Sequence, residues 1–306
     1  MTCFRVKSSL FALVVLCCLS GTLALGLSPT ETSVTELAPG VFFRKAQTEP
    51  TFTGCNQGWI IFKDFVLVID ANFPGQAKQV IQLIGEQTDK PIRYVFDTHH
   101  HGDHADGNSK YVRLGAAAVA SERSRVMFDT NGAAGFEDSQ KIKPDEYGLL
   151  NYEKPSVYFP HRLVIDDGTQ RVELLHLGHA HTIGDAIAWL PRHGILFTGD
   201  ACINGAFNYM GDSNTQSWIT VLNQMEELPI KVIAPGHGEL AGKELIDTQR
   251  RYFVELRAAI QQAIDSGKSL TQIQQEIDLP FYKEWTGVDV KDQIENIQHV
   301  FTELQE

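Results

Sequence analysis

Apolar and polar positions alternate in a regular order along the first hundred residues. Short apolar or β-branched runs over residues 34–70 predict strands. The clearest of these runs are 41–44, 58–62 and 65–69. Apolar residues then recur at helical spacing over 76–87, until Pro91 breaks the pattern. A continuous apolar run at 92–96 predicts a further buried strand.

The rest of the chain repeats this order. A short helix is predicted over 108–114 and a strand over 116–120, whereas 125–160 contains scattered Gly and Pro. We interpret that stretch as a long surface excursion that forms one wall of a binding site. Further strands are predicted at 163–165, 171–177, 186–190, 195–198 and 231–234. Helical spacing returns over 218–228 and from residue 241 onward.

Two similar halves, each with strands followed by helix, predict an α/β fold with two packed sheets and helices outside. The composition, 43% hydrophobic and 21% charged, is that of an ordinary globular protein. No linker or internal repeat divides the sequence. We therefore expect a single domain over 25–306, with 241–306 as a mostly helical C-terminal extension packed on it.

The first residues have the layout of a secretory signal peptide. Arg5 and Lys7 precede an apolar run over 10–19, and small residues lead to Ala24. We expect cleavage near Ala24, which predicts a leader over 1–24, a secreted or periplasmic protein, and no membrane attachment after cleavage. The alternative is an uncleaved N-terminal anchor.

Charge and cysteine content narrow the partners. The net charge is −12 and becomes more negative when the leader is removed, so DNA and RNA are repelled and a small-molecule substrate is expected. Three of the five cysteines lie in the leader. The remaining two, Cys55 and Cys202, are too few for a disulfide scaffold, and the sequence does not decide whether they form one bridge.

A histidine-rich segment follows the predicted strand at 92–96. His99 and His101 are two residues apart, so in extended chain they face the same side. Gly102 allows a tight turn, after which Asp103 and His104 can point to a neighbouring place. Imidazole and carboxylate are typical ligands of zinc and related divalent metals, so this segment predicts a metal site.

Three downstream residues extend this hypothesis. His181, Asp200 and His237 each follow a predicted strand, and glycine adjoins the last two. Each alone would more often be a hydrogen-bonding turn residue, but their joint occurrence favours metal binding. His179 is an alternative to His181 at this position.

These motifs resemble those of the metallo-β-lactamase superfamily. The family pattern HxHxDH is matched by His99, His101, Asp103 and His104. A GHT-like turn, a strand ending in Gly-Asp and a Gly-His-Gly turn follow in the family's order, at His181, Asp200 and His237. The resemblance covers roughly residues 36–240 and implies an αββα four-layer sandwich, with the metals at one edge of its two sheets.

The resemblance also implies a ligand set for two zinc ions. One ion would be bound by His99, His101 and His181. The other would be bound by Asp103, His104 and His237. Asp200 would bridge both, and Asp70 would support the metal-binding loop without being a ligand. Iron or manganese would also suit the carboxylate-containing set.

The chemistry implied is attack of a metal-bridging hydroxide on a carbonyl carbon. Asp103 and Asp200 are the expected catalytic residues, acting with that bridging water. The expected substrate is an ester, thioester, lactone or β-lactam, and β-lactamase activity is one specific alternative. An iron-dependent oxidoreductase and a zinc-binding protein without catalysis are the others.

A few residues near these motifs have two interpretations each. Trp59 is either part of a loop over the pocket or a core aromatic, and Cys202 either lines the site or is a small buried residue. Substrate contact is suggested for Phe207, Asn208 and Tyr209. Surface or hydrogen-bonded positions are expected for His100, His161, His176 and His193.

Overall fold

The computed structural model describes residues 34–46, 48–49, 52–205, 209–277, 279 and 290–306. The predicted leader over 1–24 lies outside these residues, so its cleavage and the export it implies stay predictions. None of the described helices combines the length and apolar character that crossing a bilayer requires.

The first sheet has seven strands in the order β1-β2-β5-β6-β7-β8-β9. Their bounds are β1 Val34–Ala38, β2 Val41–Arg44, β5 Gln57–Ile61, β6 Val66–Ile69, β7 Ile92–Phe96, β8 Ala117–Ser121 and β9 Val157–Phe159. Pairing is antiparallel from β1 to β6 and parallel from β6 to β9. A short ribbon of β3 Thr48–Glu49 and β4 Phe52–Thr53 lies between β2 and β5 in the sequence.

The second sheet has five strands in sequence order. They are β10 Arg162–Asp166, β11 Arg171–Leu175, β12 Ile187–Leu190, β13 Ile195–Gly199 and β14 Val232–Pro235. All neighbours are antiparallel except β13 and β14, which are parallel. Their parallel arrangement brings the carboxyl ends of β13 and β14 to the same edge.

The helices connect and cover the sheets. Their bounds are α1 Pro74–Gln87, α2 Gly102–Ala105, α3 Asn108–Val112, α4 Arg125–Met127, α5 Ala133–Ile142, α6 Pro144–Tyr147, α7 Thr215–Glu226, α8 Glu244–Asp265, α9 Leu270–Glu276 and α10 Val290–Glu303. Helix α7 begins three residues before its predicted start because the Asn214 side chain caps it, accepting a hydrogen bond from the Ser217 amide.

Four layers follow from the burial of apolar faces. Side chains such as Ile60, Leu67 and Phe197 fill the space between the sheets. Ala77 and Val80 of α1 cover the outer face of the first sheet. The outer face of the second sheet is covered by α7 to α10, through residues that include Trp218, Phe253, Leu256, Ile273 and Val300. This is the αββα sandwich that the resemblance implied.

Residues 125–160 differ from the predicted surface excursion. They contain α4, α5 and α6, and they end in β9, which joins the first sheet. Phe128, Phe136 and Tyr147 are buried, so this segment has small apolar cores of its own. The prediction took the scattered glycines and prolines as signs of irregular structure. Gly132 and Gly135 are instead accommodated within helical turns.

Candidate metal centre

All seven predicted ligands lie at one edge of the sandwich, where strands end. Four of them, His99, His101, Asp103 and His104, follow β7 of the first sheet. The other three belong to the second sheet: His181 lies between β11 and β12, Asp200 follows β13 and His237 follows β14. The centre is therefore assembled from both sheets.

His99, His101 and His181 form what we call the three-histidine cluster. One ligand atom from each lies within 4.8 Å of the others. His101 Nδ1 is 3.0 Å from His181 Nε2. His99 is fully buried, and its ring centroid lies 4.6 Å from that of His101 and 4.9 Å from that of His181.

Asp103, His104 and His237 form the mixed cluster. Asp103 Oδ2 is 3.1 Å from His237 Nε2 and 3.5 Å from His104 Nε2. Asp103 lies in the single turn of α2, which places its carboxylate beside the imidazole of the next residue. His237 reaches this carboxylate from the other sheet.

Asp200 lies between the two clusters and faces both. Its Oδ2 is 3.7 Å from His181 Nε2 in the three-histidine cluster and 3.4 Å from His237 Nε2 in the mixed cluster. Its Oδ1 is 3.3 Å from His104 Nε2. One carboxylate thus contacts both proposed metal positions.

These spacings fit divalent metal ions. Tetrahedral bonds of about 2.0–2.1 Å place ligand atoms roughly 3.3 Å apart, near the separations found in both clusters. Within the described part of the chain, His99 Nε2 is buried without a hydrogen-bond partner, and the buried His104 Nε2 and Asp200 Oδ1 face each other at 3.3 Å without a well-aligned hydrogen bond. Buried polar atoms of native proteins are normally satisfied, so these atoms point to cations as the missing partners.

Electrostatics separate the clusters. Burial, reinforced by the neighbouring His101, lowers the pKa of His181 to about 3. Burial also opposes a charge on His237, but the carboxylates of Asp200 and Asp103 outweigh it and raise its pKa to about 10. His99, whose pKa burial also lowers, and His181 thus offer neutral imidazoles to the three-histidine cluster, whereas His237 of the mixed cluster holds a proton that a cation would displace.

Carboxylates hold one imidazole of each cluster from behind. Asp70 Oδ2 is 3.0 Å from His104 Nδ1, and Asp70 Oδ1 accepts a hydrogen bond from the Thr98 amide. Asp70 has a φ of 61°, a strained backbone conformation that tends to persist where function requires it. Asp212 Oδ2 is 2.9 Å from His101 Nε2. Asp70 was predicted as a supporting residue; Asp212 was not predicted.

Two glycines let the ligand loops approach each other closely. A Cβ on Gly236 would lie 2.3 Å from Asp200 Oδ1, and a Cβ on Gly199 would lie 2.3 Å from Thr98 Oγ1. Asn56 fixes the same loop by donating side-chain hydrogen bonds to the carbonyls of Pro235 and Gly238. The loop that carries His237 is thereby positioned by a residue adjoining the first sheet.

His100 corrects one sequence-based expectation. It is neither exposed nor hydrogen-bonded: only 2% of its surface is accessible, and among the described residues neither ring nitrogen has a hydrogen-bond partner. The other three histidines agree better. His161 is exposed, His176 Nδ1 contacts the Asp185 carbonyl, and His193 Nε2 contacts the Gln170 side chain.

The remaining candidates separate into pocket and core. Trp59 is a fully buried core residue of β5, not part of a loop over the pocket. Cys202 and Cys55 are buried free thiols, so they form no bridge in this structure.

Tyr209 lines a cleft of about 310 Å³ beside His101. His179 Nε2 bonds to the Asp212 carbonyl and stays out of both clusters. Phe207 and Asn208 lie outside the described residues.

Comparison with known proteins agrees with this architecture. The family model described as "Metallo-beta-lactamase superfamily" matches residues 50–237, which include all seven predicted ligands. This chain belongs to the metallo-β-lactamase superfamily. Together with the convergent His and Asp groups, membership makes it a metal-dependent hydrolase.

Individual relatives are distant. The metallo-beta-lactamase IND-1 of Chryseobacterium indologenes is 24% identical over 195 residues, covering 61% of this chain and 73% of that protein. The metallo-beta-lactamase type 2 of Bacillus cereus is 21% identical over 187 residues, covering 59% and 66%. The solved structure of a metallo-beta-lactamase from Pontibacter korlensis superposes with a TM-score of 0.62 at 20% identity, covering 73% and 99%. At this identity the structural likeness shows a shared fold.

Proposed function

We propose that this superfamily member is an exported di-zinc hydrolase that cleaves a carbonyl substrate. The observation that supports it best is the position of Asp200, whose oxygens lie 3.3–3.7 Å from imidazoles of both clusters. A carboxylate shared between two clusters favours a site for two adjacent ions over a site for a single ion. Imidazole with limited carboxylate is a ligand set that suits zinc.

The chain's own residues define the rest of the mechanism. Bound metal supplies polarisation of the substrate carbonyl and an activated water at neutral pH. Asp200 and Asp103 would hold the metal ions that activate this water, and Asp103 is the residue that we assign to accept a proton during collapse of the tetrahedral species. The cleft beside His101 and Tyr209 gives the substrate an approach to the centre.

The substrate class is an ester, thioester, lactone or β-lactam. None of the four requires a serine or cysteine nucleophile when an activated water is available, and the buried thiols of Cys55 and Cys202 are poorly placed to act as one. The relatives named as metallo-β-lactamases make a β-lactam the first compound to test.

A hydrolysis panel on zinc-loaded protein tests this proposal. The panel should contain nitrocefin, a lactone, a thioester, a simple ester and a phosphodiester, with zinc measured by elemental analysis. We expect turnover of at least one carbonyl compound with two zinc ions bound, and loss of turnover with a retained fold in His101→Ala. No turnover of any carbonyl compound by protein carrying two zinc ions would contradict the proposal.

Export is tested separately. The leader pattern, with Arg5 and Lys7 before an apolar run, supports it. Cell fractionation followed by N-terminal sequencing should find the mature protein outside the cytosol, beginning a few residues either side of position 25. A full-length chain in the cytosolic fraction would contradict this part of the proposal.

A further inference from the structure

Beside the two clusters lies a third group of metal-ligating side chains. His100, His101 and Asp212 each offer one ligand atom, and these atoms lie within 4.8 Å of one another. Asp212 Oδ2 is 2.9 Å from His101 Nε2 and 3.8 Å from His100 Nε2. These distances lie on either side of the roughly 3.3 Å expected between ligands of a tetrahedral zinc ion.

His100 gives the second, independent indication. Its ring is almost fully buried, and neither nitrogen has a hydrogen-bond partner among the described residues. Leaving such a group unsatisfied is costly, and the predicted two-zinc set does not use this side chain. His100 also lines the cleft of about 310 Å³, together with His101, Tyr209 and Asp212.

We propose that His100, His101 and Asp212 form a further divalent-metal site, the outer site, with zinc as a suitable occupant. Two imidazoles and one carboxylate are ligands that zinc commonly takes, and the cleft leaves room for water to complete the coordination. The outer site should bind zinc more weakly than the two clusters. It has three protein ligands, whereas each cluster has three and Asp200 in addition, and it must share His101 with the three-histidine cluster.

The shared ligand gives the outer site a regulatory consequence. The N–H of His101 Nε2 is placed to donate to Asp212, which leaves the lone pair on Nδ1, facing His181. A neutral imidazole has only one such lone pair. An ion at the outer site would require this lone pair on Nε2 instead. His101 would then bind the ion of the three-histidine cluster more weakly through Nδ1. Excess zinc should therefore inhibit the enzyme.

The experiment measures zinc stoichiometry by equilibrium dialysis and elemental analysis across increasing free zinc. We expect wild type to bind two ions tightly and one more weakly. His100→Phe, which keeps an aromatic ring without nitrogen, should stop at two ions. His161→Phe, which removes an exposed histidine, should bind three ions like wild type. Wild type that saturates at two ions, or a His100→Phe variant that still binds three, would overturn the outer site.

A crystal of wild-type protein soaked in zinc provides a measurement that does not depend on a variant's folding. An anomalous peak within bonding distance of His100 and Asp212 is expected, and its absence at a zinc concentration that inhibits activity would overturn the assignment. In parallel, the rate at high zinc relative to the rate at two equivalents should fall in wild type but stay level in His100→Phe. Binding of two ions only would leave the proposed hydrolase intact, whereas binding of none would remove both.

Discussion

The three-histidine cluster and the mixed cluster lie side by side but differ in charge. In the first, burial lowers the pKa of His99 and brings that of His181 to about 3, so both imidazoles are neutral at pH 7. The second combines the Asp103 carboxylate with His237, whose pKa is about 10. Metal binding at the first displaces few protons at neutral pH, whereas binding at the second displaces a proton that Asp200 and Asp103 stabilise on the His237 imidazole. The metal affinities of two adjacent clusters can therefore respond differently to the same change in pH.

The largest effect should come from the residue that the clusters share. Asp200→Ala removes a carboxylate that faces both, so we expect loss of zinc from each cluster. Turnover should fall by more than the about 100-fold that loss of a supporting residue costs. Zinc content and kcat/KM measure this, with the exposed Asp129→Ala as a control. Loss of a single ion would show that Asp200 serves only one cluster.

Gly236→Ala should perturb Asp200 without replacing it. The added methyl would lie 2.3 Å from Asp200 Oδ1 and 2.8 Å from the Gly199 backbone, so the carboxylate must move. Misplacement of catalytic groups by about 1 Å can cost about 100-fold in rate. The matched control is Gly85→Ala in α1, where a Cβ meets nothing within 4 Å and should leave turnover unchanged. Wild-type rates in Gly236→Ala would contradict this account.

Separate carboxylates allow each cluster to be weakened alone. Asp70→Asn removes the charge behind His104, and Asp212→Asn removes the charge behind His101. Each should weaken zinc binding about 10- to 100-fold in its own cluster. Stepwise zinc titration followed by calorimetry resolves the two ions. Equal weakening of both ions by either substitution would show that the clusters do not bind independently.

The smallest effect is that of a change of one pH unit. Because the pKa of His237 is raised, protons compete with metal below about pH 10, and affinity at the mixed cluster should rise with pH. For one displaced proton the change is about tenfold per unit. Metal ligation by His181, whose pKa is about 3, and by His99, whose pKa burial also lowers, should change little between pH 6 and 9. Zinc titrations at several pH values test this, and parallel curves for both ions would contradict it.

Local patterns were sufficient for much of the fold. The runs at 41–44 and 92–96 match β2 and β7, because the apolar content of a strand and its flanking turns depend on neighbouring residues in the sequence. The seven predicted ligands converge for a related reason: each follows a strand, and the strand ends meet at one edge. Helix α5 was missed because Gly132 directly before it and Gly135 within it mask the helical spacing.

Contacts between distant segments were beyond the sequence patterns. Asp212 lies 111 residues from His101, and nothing in its surroundings marks it as that imidazole's partner. An acidic residue in the turn before a helix was the only local signal. The burial of His100 likewise depends on segments from elsewhere, including Phe128, whose ring packs edge-on against it.

Each of the two proposed metal positions would take ligands from both halves of the sandwich. His99 and His101 come from the first half and His181 from the second, and the same division holds for Asp103 and His237. An ion held there is a cross-link between halves that are otherwise joined mainly by apolar packing. Zinc at 100 times its dissociation constant should add about 2.7 kcal/mol per ion to the free energy of unfolding. A chelator should therefore lower the stability of the whole sandwich in addition to abolishing its turnover.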